Sequence, residues 1–134
     1  LMAVEQRAGG AALIKANAER LGVRPAAVLE ANAIDLLQGD LPAGLEQPNR
    51  VLVGGGGRQR NTLLQLVLER LEPTGTVVVP LATVESLSGV RRLLEDANMT
   101  VRISQLQAWR GQPLSDGTRL APMNPILTVS GTRS

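Results

Sequence analysis

Short apolar runs that alternate with helical stripes constrain this chain more than anything else in it. Leu1 to Val4 is wholly apolar and stops at Glu5, which reads as the end of a buried strand. Arg50 to Val53 reads as a second buried strand, closed by Gly54 to Gly57. Thr76 to Val79 is a continuous β-branched run of the kind a parallel sheet buries on both faces, entered through Glu72-Pro73-Thr74-Gly75. Between them, Leu13, Ile14, Ala18 and Leu21 recur at helical spacing, with Gly22 as a stop signal. Leu64, Val67, Leu68 and Leu71 form another stripe with Asn61 as candidate cap, and Leu87, Val90 and Leu94 a third behind Thr83. Strands alternating with helices mean an open α/β sheet.

The ends of the pattern add detail. Ala27 to Glu30, after Pro25, reads as a further short strand, and Ile34 to Leu45 as a degenerate helix or loop. Thr100 to Gln107 begins with strict alternation, a polar segment with Gly111, Pro113 and Gly117 follows, and Ile126 to Ser130 is the last strand. Two strands joined without a helix predict an antiparallel pair at one edge. The 134 residues, 43% of them hydrophobic, suit one domain with a true core.

Composition removes whole classes of chemistry. The sequence contains no Cys, so disulfides, thiolate metal sites and cysteine nucleophiles are excluded. It contains no His, which excludes imidazole bases, Ser-His-Asp triads and ordinary zinc sites, and no metal is expected. Fourteen basic against twelve acidic residues leave a net charge of only +2. The charges are dispersed and Trp109 is the sole aromatic residue, so no nucleic-acid partner is expected. Neither a secretory signal nor a membrane span is visible, and the expected setting is cytoplasmic.

In open parallel sheets, ligands bind beyond the carboxyl ends of the strands. Glu5 lies at one such end, where a carboxylate suits the two hydroxyls of a ribose; a solvated charge closing a strand fits it as well. Asn32-Ala33 follows another, where Asn offers an acceptor and two donors to a purine edge; an ordinary loop is the plainer reading. Gly54 to Gly57 leaves backbone N–H groups open at a helix entrance. As a nucleotide motif the run fails, because G-x-G-x-x-G ends at Gln59 or Arg60 and no Gly-Lys-Ser/Thr follows. Arg58, Arg60, Arg110 and Arg119 fall on predicted loops at the same edge, where guanidinium groups suit a polycarboxylate; solvated surface arginines are the commoner explanation.

The stretch Arg50-Val51-Leu52-Val53-Gly54-Gly55-Gly56-Gly57 resembles the strand and glycine turn of the decarboxylating precorrin-6Y methyltransferases of cobalamin biosynthesis. The ending is similar to theirs as well: Arg110-Gly111-Gln112-Pro113-Leu114, then Arg119 through Ile126, then Val129-Ser130-Gly131. Ala3-Val4-Glu5 and the helix containing Ala16 to Gly22 resemble their second strand and helix. The resemblance implies a Rossmann-like class I methyltransferase fold, with a mostly parallel sheet and an antiparallel C-terminal strand pair. It implies S-adenosyl-L-methionine as cofactor and a tetrapyrrole, precorrin-6Y, as substrate, methylated with loss of an acetate carboxylate. By position Glu5 would hold the cofactor ribose, Asn32 and Ala33 would border the adenine, and Gly54 and Gly55 would pass the methionine end. The arginines fit recognition of a polycarboxylate substrate without a choice among them, and no catalytic base is named. A homo-oligomer is compatible with the resemblance.

One departure carries weight. The family's glycine-rich cofactor loop follows its first strand, and here that strand-helix unit, about 30 residues by the size of a βαβ segment, does not precede Leu1. Residues 1–134 are therefore expected to be a single, N-terminally truncated methyltransferase domain, binding S-adenosylmethionine poorly or not at all alone. Two other readings stay open: a methyltransferase with another substrate, and a catalytically dead α/β module kept for association through open strand edges.

Overall fold

The computed structural model describes residues 1–133, which form eight strands, four α-helices and one 3-10 turn. Strand β1 (Met2–Glu5) leads into α1 (Gly10–Arg20), β2 (Ala27–Glu30) and α2 (Ala33–Gln38). Next come β3 (Arg50–Leu52), the 3-10 turn Gly57–Gln59, α3 (Arg60–Arg70), β4 (Thr76–Leu81) and α4 (Val84–Asp96). The C-terminal part is all strand: β5 (Thr100–Leu106), β6 (Trp109–Leu114), β7 (Gly117–Pro122) and β8 (Ile126–Thr132).

Local chemistry accounts for most boundaries. Helix α1 starts after Gly9 (φ 78°) and ends at Leu21, followed by Gly22 at φ 66°, a left-handed stop that glycine adopts without strain. Asn32 caps α2, its Oδ1 accepting from the Ile34 N–H at 2.8 Å, so the segment left between helix and loop contains a six-residue helix. The two caps expected from the sequence, Asn61 and Thr83, fare differently. Asn61 lies inside α3, which the 3-10 turn carries straight in from the glycines. Thr83 holds the N-cap position of α4, but its hydroxyl pairs with Ser86 Oγ at 2.9 Å rather than with a backbone N–H.

The strands form three sheets. Parallel β1 and β2 pair only with each other; a four-stranded sheet runs β3-β4-β8-β5; β6 and β7 make a separate antiparallel hairpin. Strand β8 lies between β4 and β5 and is antiparallel to both, so the predicted antiparallel pair at one edge is β5 with β8. The core sits on one face of this sheet. Val77, Val79 and Leu81 of β4 are 0–1% exposed and cluster with Leu64, Val67 and Leu68 of α3, Val90 and Leu94 of α4, and Val129 of β8. Packing there is tight enough to require Gly131, where a Cβ would come within 3.0 Å of Met99 Sδ.

Two expectations of full burial are corrected. Thr76, Val78 and Pro80 on the opposite face of β4 are only half-buried, and β3 exposes Leu52 at 72%. All of β1 is half-buried too. For β4 the reason is that the core cluster lies on its other face; β1 and β3 in addition each lack a neighbour on one edge among the described residues. The β1–β2 unit is tied to the rest through α2, which packs on α3, and through Arg70. That guanidinium donates from Nε to the Leu37 carbonyl at 2.9 Å and from Nη2 to the Gly39 carbonyl at 2.8 Å, satisfying the C-terminus of α2.

The polar segment after β5 is the clearest miss, because it is a hairpin and not a loop. Leu106 pairs with Ile126 and Trp109 with Pro122, leaving two residues on one strand against three on the other. This irregularity breaks the ladder and re-aims the ribbon.

Replacing Arg70 by Ala should loosen α2 without melting the core. Amide exchange across residues 33–38 is expected to accelerate at least about tenfold on loss of the two hydrogen bonds from the charged donor, with α3 and α4 unchanged. Equal acceleration everywhere would show that Arg70 supports the whole fold instead.

Candidate active site

Pairing directions bring the ends of three strands to one edge of the four-stranded sheet. Strands β3 and β4 are parallel, and β5 shares their direction because both β4 and β5 run against β8. Gly54, Ala82 and the root of the β6–β7 ribbon therefore lie at the same edge. In the smaller sheet, Glu5 and Glu30 are register partners at the carboxyl ends of β1 and β2.

Around Glu5 the geometry is specific. Its Oε1 accepts from the Arg7 backbone N–H and its Oε2 from Arg7 Nη2, both at 3.0 Å. The Arg7 guanidinium hydrogen bond, aided by the Arg7 backbone N–H, holds the Glu5 carboxyl below the usual glutamate range. Glu30 Oε2 accepts from the Gly9 N–H at 3.0 Å, so both strand-end carboxylates grip the β1–α1 turn. Gly10 makes this possible, since a Cβ there would run into Glu5 Cγ. Each carboxylate oxygen of Glu5 keeps a further lone pair, and the side chain is 24% exposed. Asn32, with Oδ1 committed to the cap, has its Nδ2 donors left, and Ala33 opens α2 beside it.

The glycine turn is the second cluster. A Cβ at Gly54 or Gly55 would meet nothing within 4 Å, so the main chain lies open there. Gly56 is different: its φ of 92° is left-handed, and a Cβ would come 2.8 Å from Arg60 Cα. A cavity of about 250 Å³ adjoins the turn, lined by Gly57, Arg58, Arg60, Asn61, Glu85, Ser86 and Gly89. Arg58 is exposed in the 3-10 turn. Arg60, expected on a loop, is the first residue of α3, and its guanidinium is bonded to Gly55 and Ser86.

The remaining arginines sit in strands, not in the predicted loops. Arg110 opposes Ala121 and Arg119 opposes Gln112, which puts both on one face of the ribbon. Gln112 Oε1 accepts from Arg119 Nε and Nη2 at 3.2 and 3.0 Å. The other face carries Trp109, Leu120 and Pro122. Sequence reasoning missed Arg7, Glu30, Gly10 and Ser86; the available signal for Glu30 was that it, like Glu5, ends a predicted strand.

Because Glu5 has its carboxyl depressed in the folded chain, its contribution to stability is present above the ordinary pKa of 4.5 and is lost as pH falls through the lower folded value. In Arg7→Ala the Glu5 titration observed by carboxyl NMR should move up toward 4.5. An unmoved midpoint would mean that Arg7 does not set it.

The chain is similar to known proteins over nearly its whole length. A family model described as "Precorrin methyltransferase domain" matches residues 1–133. A Pyrobaculum aerophilum protein named "Probable cobalt-precorrin-6B C(15)-methyltransferase (decarboxylating)" is 34% identical over 119 residues, covering 88% of this chain and 58% of its own length. The crystal structure of precorrin-8W decarboxylase from Methanobacterium thermoautotrophicum superposes with a TM-score of 0.83 at 22% identity, covering 97% of this chain and 68% of that one. Precorrin-6Y C5,15-methyltransferase from Geobacter metallireducens gives 0.82 at 24%, covering 98% and 67%. The fold is the Rossmann-like class I methyltransferase fold, and the chain spans little more than half the length of the curated relatives it matches. Taken with a match that runs from the first strand to Arg133, this shows that the chain belongs to the precorrin methyltransferase domain family.

Proposed function

We propose that this chain is the larger part of an S-adenosylmethionine-dependent methyltransferase acting on a precorrin, precorrin-6Y by the resemblance, with decarboxylation of an acetate side chain. The observation that carries the reading is the family match over residues 1–133, joined to strand ends that offer the chemistry such a site needs. Glu5 has free carboxylate lone pairs for the ribose hydroxyls. Asn32 Nδ2 and the small Ala33 side chain border the adenine. Gly54 and Gly55, with open space above the main chain, let the methionine end approach.

Bound there, S-adenosylmethionine supplies an electrophilic methyl group. The chain's own residues contribute position. Arg58 beside the cavity, and Arg110 with Arg119 on one ribbon face, bind substrate carboxylates through charge-assisted hydrogen bonds. From β3 to β5 the sheet is three strand spacings wide, roughly 14 Å. Orientation of an electron-rich ring carbon toward the methyl group is the main catalytic demand.

The domain is proposed to be completed by a strand–helix unit inserted between β1 and β3, each of which has one edge without a strand partner among the described residues. A parallel strand there would satisfy both ladders and build the other wall of the cofactor site. Cytoplasmic location and self-association complete the proposal, the latter through the ribbon face that leaves Trp109 54% and Leu120 69% exposed.

Calorimetry tests it. Residues 1–134 alone should give little or no heat with S-adenosylmethionine, and the chain extended by the missing unit should bind it. No binding by the extended protein would defeat the assignment. In that protein Glu5→Ala is expected to weaken binding about 10- to 100-fold, the loss of charge-assisted hydrogen bonds to the ribose.

A further inference from the structure

Four successive glycines have no side chains with which to fix a turn, and glycine loses more conformational freedom on ordering than any other residue. Something else must hold Gly54 to Gly57. Arg60 does so from the first turn of α3. Its Nε donates to the Gly55 carbonyl at 3.1 Å, and its Nη1 donates to Ser86 Oγ at 2.9 Å. Ser86 in turn pairs with Thr83 Oγ1 at 2.9 Å, and α4 is anchored in the core by Val90 and Leu94. The guanidinium thus bridges the segments that follow two neighbouring parallel strands, β3 and β4. Gly56 is shaped to the same contact, because a Cβ there would collide with the Arg60 backbone.

We infer that Arg60 is a positioning residue, a strap that ties the glycine turn to the start of α4 and presents the open main chain of Gly54 and Gly55 to the cofactor. The inference rests on the cofactor reading given above, and it removes Arg60 from the set of substrate-carboxylate ligands. Arg58 differs from it: exposed on the same cavity, it makes no hydrogen bond or ion pair among the described residues. Adjacent arginines two positions apart therefore take separate tasks, one turned inward as a strut and one free for ligand.

Two measurements test the strap. In residues 1–134 as they stand, Arg60→Met should lower the backbone amide order parameters of Gly55 and Gly56 from about 0.85 to below about 0.6. Unchanged order parameters would overturn the inference whatever the cofactor. In the protein extended by the missing strand–helix unit, Arg60→Met should raise the KM for S-adenosylmethionine about tenfold, the cost of one charge-assisted hydrogen bond, and leave the KM for the tetrapyrrole within about twofold. Arg60→Lys, which reaches one partner but not both, should fall between. A rise in the tetrapyrrole KM alone would make Arg60 a substrate ligand and sink the strap, as would a fall in kcat with both KM values unchanged. Absence of cofactor binding by the unmutated extended protein would reject the cofactor reading, while the order parameters still judge the strap.

Discussion

Strand β4 is the element on which the rest depends, because it alone joins the parallel and antiparallel parts of the main sheet. It is hydrogen-bonded to β3 on one edge and β8 on the other, and one face carries Val77, Val79 and Leu81 into the core. A strand satisfied on both edges can bury its backbone without leaving orphan polar groups. Helices α3 and α4 then have a fixed apolar surface to cover, and the core cluster forms on that side. Burial decays with distance from β4: β3 exposes Leu52, and β1 and β2 contain no fully buried residue.

The same constraint shapes the site. Strands that run in one direction deliver their following segments to one edge, so the glycine turn, the start of α4 and the root of the ribbon gather without any side chain having to choose the place. Side chains then tune what the backbone has assembled. Arg7 polarises Glu5, Glu30 and Glu5 together grip the turn before α1, and Arg60 stiffens a segment that cannot stiffen itself. Rigid positioning of this kind is what the proposed methyl transfer would ask of these residues.

Legibility in the sequence followed the strength of local signals. Thr76 to Val79 was readable because β-branched runs between strong turns have few other uses, and α1 because Gly9, Gly10 and Gly22 punctuate an apolar stripe. The β6–β7 hairpin was not, since Gly111, Pro113 and Gly117 are loop residues by composition and the ribbon buries almost nothing to give an apolar period. Asn61 looked like a cap because it precedes the stripe, yet the 3-10 turn had already begun winding the chain at Gly57. For the candidate site, Glu5, Asn32, Ala33 and the glycines were identifiable as strand-end residues. The division of labour between Arg58 and Arg60 was not, because it depends on where Ser86, 26 residues further on, comes to lie.

Sequence alone determined most strands and helices of the alternating part, which chemistries these 134 residues cannot themselves supply for want of His and Cys, and which family the glycine turn and the Asn-Pro ending resemble. These are local or compositional properties, encoded by neighbouring residues. Tertiary structure alone decided that β8 enters between β4 and β5, that β1 and β3 each keep an open edge, and that Arg70 and Arg60 spend their donors on distant carbonyls and hydroxyls. Those outcomes follow from backbone hydrogen bonds and side-chain contacts between residues far apart in the chain, which exist only once the segments have met.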